Sequence, residues 1–521
     1  MLRNAASNVA WVGRSRTLAF CVLAVLVAAS LGLLLTAKPA HANAFRVNTM
    51  EDAGDQNLGD GTCATEPFAV GTEPKCSLRA AIQETNSNGA TDTIIFDPVL
   101  RGTITLTLGQ LQINNDTPAD DLSIQGPGAR KVTVNANDQS RVLLMGKLTN
   151  VTVSGLTISD GSAGIAGTSG NVGKGGGIYN LGTLVLSNST VSGNAASFGG
   201  GLQNDGTLTL RNSTVSGNIA AEDGGGIYNL GTLELSNSTV SANTAINGGG
   251  GIMDIFGTMV LRSSTVSGNN TTNGPAGGIY FTGQNTLSNT IIARNTASTN
   301  PDALGSVASE GNNLIGNTTG VTGLVPSDLR NVNPLLGPLQ NNGGATNTHA
   351  LLLGSPAVDT ANNTACTVTD QRGARRDDGN NDGTRICDIG AFEVEVAPKV
   401  TTVAPSAGKI GVARNTNLTA TFSEKMARTS ITKTTFKLFK CLSTTSTSCT
   451  TQITNVTVSV STDGLKATLN PFGTSSTLLL ANTKYKAVVT TGAKDLAGNA
   501  LDQNDNTSGN QQKVWFFTVS K

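Results

Sequence analysis

A block of 24–25 residues recurs through the middle of this 521-residue chain, and no other feature restricts the fold as strongly. Units start at Gly175 (GGGIYNLGTLVLSNSTVSGNAASF), Gly199 (GGGLQNDGTLTLRNSTVSGNIAAED), Gly224 (GGGIYNLGTLELSNSTVSANTAIN) and Gly249 (GGGIMDIFGTMVLRSSTVSGNN). A worn copy follows at Gly277 (GGIYFTGQNTLSNTIIARN), where the spacing stretches to 28. A unit this short cannot bury its own apolar face, so successive copies must stack as coils of a solenoid. Inside a unit, Leu184 and Leu186 alternate, and Thr190 with Val191 opens a second β-prone piece. Stacked coils sit about 4.8 Å apart, so equivalent residues form columns. Leu186, Leu210, Leu235, Leu261 and Leu287 make an aliphatic column; Asn194, Asn218, Asn243, Asn269 and Asn295 make a polar one.

Leucine-rich repeats share the period. Here the run is Leu184-x-Leu186-x-Asn188, one residue short of their pattern, and no helical stripe follows. The 62 glycines obey no every-third rule and there are only 15 prolines, which excludes collagen. Glycine triplets such as Gly175–Gly177 suit corners that need positive φ. Asparagine, 51 residues, tolerates left-handed geometry at a bend and can bond its counterparts above and below. Asn188, Asn212 and Asn237 form a second column, broken by Ser263; their Asn-Ser-Thr spelling matches a glycosylation sequon but recurs because the coil recurs.

The first 42 residues read as an export signal. Arg3, Arg14 and Arg16 precede an uncharged, mostly apolar run from Leu18 to Ala37, and Ala40-His41-Ala42 supplies a cleavage site before Asn43. An uncleaved membrane anchor is the alternative, and it would be the chain's only membrane contact. The protein is expected to be secreted or displayed on the cell surface. Cysteines agree: beyond Cys21 they fall as Cys63/Cys76, Cys366/Cys387 and Cys441/Cys449, three local disulfides for an oxidising compartment. The overall balance of 35 basic and 35 acidic residues hides a split: residues 43–396 carry net −13 and residues 397–521 net +9. The acidic part excludes a nucleic-acid groove there. The basic part suits either anionic cell-wall polymers or an ordinary solvated lysine surface.

The Gly-Gly-Gly-Ile and Val-x-x-Asn elements resemble the repeats of chlamydial polymorphic outer-membrane proteins, and the class they imply is the right-handed parallel β-helix. Cys76-Ser77-Leu78-Arg79-Ala80-Ala81-Ile82 resembles the CSLREA segment near the start of exported β-helix proteins, with Ala80 where Glu is usual; residues 76–86 also read as a short helix closing the solenoid's open end. Gly354-Ser355-Pro356-Ala357-Val358-Asp359, Thr369-Asp370-Gln371-Arg372-Gly373 and Cys387-Asp388-Ile389-Gly390-Ala391-Phe392-Glu393 resemble the choice-of-anchor family Q region of bacterial surface proteins. Beyond Ala397, Asn417–Phe422, Ala467–Leu469 and Trp515–Val519 alternate as short strands. Phe422-Ser423-Glu424-Lys425-Met426 and Asp495-Leu496-Ala497-Gly498-Asn499 are similar to bacterial Ig-like domains, which implies a spacer or attachment module. The expected fold is all-β, a right-handed parallel β-helix of three-strand coils followed by an Ig-like β-sandwich. The boundaries run 43–100 for the N-terminal cap, 101–325 for the helix with clearest repeats 175–298, 326–396 for its anchor-like end, and 397–521 for the sandwich.

Chemistry-bearing residues are sparse. Inside the clean repeats the acids are Asp205, Glu222, Asp223, Glu234 and Asp254. Glu234 and Asp254, in neighbouring coils, are the candidate catalytic pair, since glycoside cleavage needs two carboxylates about 5–9.5 Å apart across a cleft; the bland alternative puts them on a solvent face. Tyr179, Tyr228 and Tyr280 share one repeat position, with Gln203 and Met253 between them. Each follows an inward isoleucine, so alternation turns the tyrosines outward, as a stripe for sugar rings or as structural packing under a loop. Asp378-x-Asn380-x-Asp382-Gly383 spells the first half of a calcium loop, with Ile389 where Glu is expected; Asp52, Asp55 and Asp60 form a second acidic cluster. Apart from possible Ca2+, no cofactor is expected. The preferred function is a non-catalytic surface protein, adhesive or glycan-binding, whose partners are surface glycans or cell-envelope polymers. The alternative is a secreted polysaccharide lyase or glycoside hydrolase of the pectin-lyase-like type.

Overall fold

The computed structural model describes residues 43–69, 71–88, 91–114, 121–164, 173–376, 386–394, 397–473, 478–495, 499–503 and 510–521. The N-terminal signal and the Asp378–Asn380–Asp382 loop lie outside these residues.

Each repeat lays down strands that pair with the same strands of the next coil. In the first clean unit these are Ile178–Asn180, Thr183–Ser187 and Thr190–Ser192. They pair in parallel with Leu202–Asn204, Thr207–Arg211 and Thr214–Ser216. Repetition builds three parallel sheets of nine, ten and ten strands, here sheets one, two and three in the order the chain visits them. The three-strand expectation lacks one feature: four two-residue strands, Ala195–Ala196, Ile219–Ala220, Thr244–Ala245 and Asn270–Thr271, add a short fourth side to the central coils. Register brings Leu186, Leu210, Leu235, Leu261 and Leu287 into one column, and all five are fully buried. Burying one leucine contributes about 1.5–3 kcal/mol, and this column is one of several that hold the coils together, beside those of Ile178 and Val191.

The polar column also forms, inside the coil. Asn194 Nδ2 donates to Asn218 Oδ1 at 2.9 Å, and the step repeats at 2.9 Å to Asn243, Asn269 and Asn295. The left-handed residue is not the asparagine, as the sequence suggested, but its predecessor: Gly193, Gly217, Ala242, Gly268 and Arg294 have φ of 56–71°. The Asn188 column does adopt positive φ, at Asn188, Asn212, Asn237 and Asn289, and Ser263 follows with φ 46°.

Parallel pairing begins at once, Ala44–Val47 lying beside Asp92–Phe96. Helix α1, Leu78–Asn88, two residues later than expected, buries Leu78, Ala81 and Ile82 in the core that this end shares with Phe45 and Ile113. Arg79 fixes it through Asp52, whose Oδ1 is 2.7 Å from Nε. Asp52 also accepts from the backbone of Thr107 and Leu108, and Asp55 from the backbone of Asn57 and Ala64, so these two acids serve local structure.

After the last parallel strand, Leu329–Arg330, the chain turns back along the outer face of sheet three. Leu336, Leu351, Ala357, Ala361, Cys387 and Ile389 pack on Ile291, Ala293 and Leu314 as a second apolar core. Polar contacts extend the docking: Gln371 Oε1 accepts from Thr239 at 2.6 Å, its Nε2 donates to Thr214 at 2.9 Å, and His349 meets Ser241 at 2.8 Å. All three cysteine pairs form the disulfides expected from their proximity. The C-terminal unit is two four-stranded antiparallel sheets around Phe436, Tyr485, Trp515 and Phe517.

Candidate ligand-binding face

The glycine triplets shape an outward surface beside sheet one. Gly175, Gly199, Gly224 and Gly249 have φ of 58–69°, and a Cβ on any of them would collide with the carbonyl oxygen of Ile178, Leu202, Ile227 or Ile252 respectively. The chain can turn this tightly only through glycine. The residue ahead of each triplet is therefore held against the edge of sheet one: Lys174 stacks on Phe198, and Asp223 on Gly248, as parallel bridges. Beside them runs the outward row of sheet one, Tyr179, Gln203, Tyr228, Met253 and Tyr280, in continuous register.

The tyrosines point outward as alternation requires, but they do not form a uniformly exposed stripe. Tyr179 is 2% exposed. Its hydroxyl donates to Asp205 Oδ2 at 2.7 Å, and the charged groups of Arg141 and Lys174 each lie 5.4 Å from its ring centre. Burial, with Asp205 beside it, pushes the Tyr179 hydroxyl well above the usual phenol range, while burial lowers the Arg141 guanidinium to about 10. Gln203 is buried next to it and donates to Asp205 Oδ1 at 2.8 Å; its Oε1 has no hydrogen-bond partner among the described residues. Tyr179 is thus buried, with Lys174 and Arg141 against its ring.

Tyr228 and Tyr280 remain half-exposed. Phe198 leans on Tyr228 with ring centres 5.2 Å apart and planes tilted by 58°. Burial raises the Tyr228 hydroxyl, and Asp223 and Asp205 add to the shift; burial, then Glu222, raises Asp223. A Cβ on Gly248 would lie 3.3 Å from both Asp223 Oδ1 and Tyr280 Cδ1, which places that carboxylate close to the last tyrosine. The open part of the face is therefore Phe198, Tyr228 and Tyr280, rimmed by Asp205, Asp223 and Glu222. Phe198 and Lys174 were not singled out from sequence; their shared place one residue before a glycine triplet is the signal that finds them.

The two catalytic candidates do not meet. Glu234 lies half-buried on the outward side of sheet two, between Thr209 and Val260. Asp254 belongs to sheet one and is fully buried on its inward side, not on a solvent face. There it ends a second amide ladder: Asn180 donates to Asn204 and Asn204 to Asn229, each at 2.7 Å, and Asn229 to Asp254 Oδ1 at 2.6 Å. Gly283 N donates to its other oxygen at 3.1 Å. One carboxylate faces outward and the other caps an internal ladder, so they share no cleft. No group of three or more histidine, cysteine or acidic side chains fit to hold a metal occurs among the described residues. No described helix is long and apolar enough to cross a membrane.

The bacterial Ig-like domain family matches residues 394–519, over the antiparallel sheets already described. The C-terminal unit is a bacterial Ig-like domain. Among solved structures, surface layer protein SbsC, domains 1–6, is 20% identical with a TM-score of 0.16, covering 24% of this chain and 14% of that one. The S-layer protein rSbsC(31–844) gives 21%, 0.16, 24% and 14%. The N-terminal part of the bacterial S-layer protein SbsC gives 20% and 0.16, with 24% of each chain covered. These likenesses span less than a quarter of either chain and are too slight to carry an argument. No curated protein matches the chain. The Ig-like domain and three disulfides fit a protein of the cell surface or exterior.

Proposed function

We propose that the chain is a non-catalytic surface protein whose β-helix holds a neutral, hydroxyl-rich glycan on the outward face of sheet one, with the Ig-like domain as spacer or attachment module. The observation that carries this is the half-exposed Phe198–Tyr228 pair standing beside Asp205 and Asp223, with Tyr280 two coils further on. Aromatic faces stack against the C–H faces of sugar rings, and carboxylates accept sugar hydroxyls at the rim. The net charge of −13 over residues 43–396 makes a neutral ligand more favourable here than an acidic one. Calcium at Asp378, Asn380 and Asp382 remains a separate proposal, tested by melting with and without EDTA.

Glycan-array binding tests the first proposal, run beside assays for cleavage of acidic polysaccharides. Saturable binding to neutral oligosaccharides without product release is expected. Turnover of an acidic polysaccharide would replace this proposal with the lyase or hydrolase alternative.

A further inference from the structure

The Ig-like domain has two outer faces of very different chemistry. One sheet, Val400–Ala404, Leu418–Phe422, Lys466–Asn470 and Thr457–Val460, presents Thr419, Thr421, Ser459, Lys466 and Thr468 outward, with no aromatic ring. The other consists of Thr451–Gln452, Phe436–Lys440, Lys484–Val489 and Lys513–Thr518. Its four strands contain five lysines and no acidic residue. Phe436, Leu438, Tyr485, Ala487, Trp515 and Phe517 fill the core from it, so alternation turns Lys437, Phe439, Lys484, Lys486 and Phe516 outward. Register sets Phe439, Lys486 and Phe516 side by side on three adjacent strands. Lys486 Nζ lies 4.7 Å from the Phe439 ring centre, and Lys484 Nζ 5.1 Å from that of Phe516. Both rings are half-exposed, and Val514 beside them is 38% exposed.

We propose that this face is the attachment surface of the domain and that it binds a carboxylated polysaccharide of the cell envelope. The ammonium groups pair with carboxylates, and Phe439 and Phe516 stack against the sugar rings between them. Charge complementarity selects a polyanion, because the four strands carry five lysines and no acid within a unit of net +9. The rings select a polymer that has sugar rings, which a poly(glycerol phosphate) lacks. The Cys441–Cys449 disulfide beside the face suits an exterior compartment, where envelope polysaccharide is present. The inference rests on the attachment role proposed above for this domain.

The test uses the whole chain with polygalacturonate, poly(glycerol phosphate), neutral dextran and single-stranded DNA as probes, and envelope fragments of the source cell in parallel. Wild type should bind polygalacturonate with an affinity that falls as salt rises. The triple variant K437Q/K484Q/K486Q should bind it at least about tenfold more weakly, since these rim charges are screened but additive. F439L/F516L, which keeps apolar bulk but removes the rings, should weaken binding while leaving the salt dependence unchanged. Unchanged melting temperatures establish that both variants fold. Equal binding to dextran or poly(glycerol phosphate), tighter binding to DNA, or full affinity in the lysine variant would overturn the proposal. Self-association that the lysine variant abolishes, with polygalacturonate binding intact, would overturn it in favour of a second copy's acidic β-helix. Failure to bind envelope fragments at all would refute the attachment role itself; binding that ignores the lysine variant would refute only this surface.

Discussion

Asparagine does two jobs in this chain, and which job falls to which residue is decided by the neighbour before it. At Asn188 the backbone itself takes φ 49°. At Asn194 the preceding Gly193 takes the left-handed turn, which frees the amide to face inward and donate along the axis. Each Nδ2 of this column then donates forward to the next coil's Oδ1 and also back to a carbonyl of the preceding coil, and a run of forward bonds closes on a group with acceptors only. Asp302 provides it after Asn295, and Asp254 after Asn229. Columns could be read from sequence, because repetition alone creates them. The turn residue and the end-capping role of Asp254 could not, because they depend on which side of the backbone the amide occupies. Replacing Asn218 by Ala removes the acceptor for both the backbone and side-chain donors of Asn194. With buried groups left unpaired, urea unfolding should show a loss of about 2–4 kcal/mol. Leu210→Ala, in the aliphatic column, should lose about 2–5 kcal/mol in the same assay.

At the scale of elements, the segment from Leu336 to Val394 behaves as a strap across sheet three. Gln371 is its polar anchor: buried, bonded to Thr239 and Thr214 on the solenoid, and to Thr346 and the Asn347 carbonyl within the strap. Motifs around Gly354, Thr369 and Cys387 stood out in the sequence, but their docking partners lie far back in the chain, 73 residues from Asn362 and 132 from Gln371 in its bond to Thr239, and have no local signature. Gln371→Ala leaves three buried hydroxyls without this partner, and about 2–4 kcal/mol of strap stability should be lost. Hydrogen exchange should accelerate in residues 346–372 and remain unchanged in the central coils around Leu210. Uniform acceleration of both would show that strap and solenoid unfold as one unit. The same tertiary logic hid Lys174 and Arg141 over Tyr179: alternation gives the direction of a side chain, not what lies on top of it.

Across the whole molecule, repeat period and alternation pointed to a stacked β-solenoid and the charge split to a separate C-terminal unit, while the β-helix and Ig-like classes came from motif resemblances. Function was less legible, because a binding face depends on exposure. The strap's buried carboxylates add a pH response. Burial pushes Asp388 up to about 7 and Glu393 up to about 8, despite the Arg376 guanidinium 2.9 Å from Glu393. In the unfolded chain both ionise near about 4. Between these limits the folded state holds more protons than the unfolded one, so stability falls as pH rises from about 4 to about 8. Melting temperatures measured from pH 5 to 9 should decline, and Glu393→Gln should flatten that slope. At the Asp378 loop, bound calcium predicts a lower melting temperature in EDTA, and a solvated turn predicts none.

The central claim concerns the open aromatic row on sheet one. Its most direct test is calorimetric titration of the whole chain with the best neutral oligosaccharide from an array, comparing wild type with Tyr228→Ala/Tyr280→Ala and with Thr209→Val on the outward row of sheet two. The double variant should lose binding by at least about tenfold, in line with the value of buried aromatic contacts, while Thr209→Val, away from the aromatic row, should bind as wild type does. A double variant that binds as tightly as wild type would contradict the account.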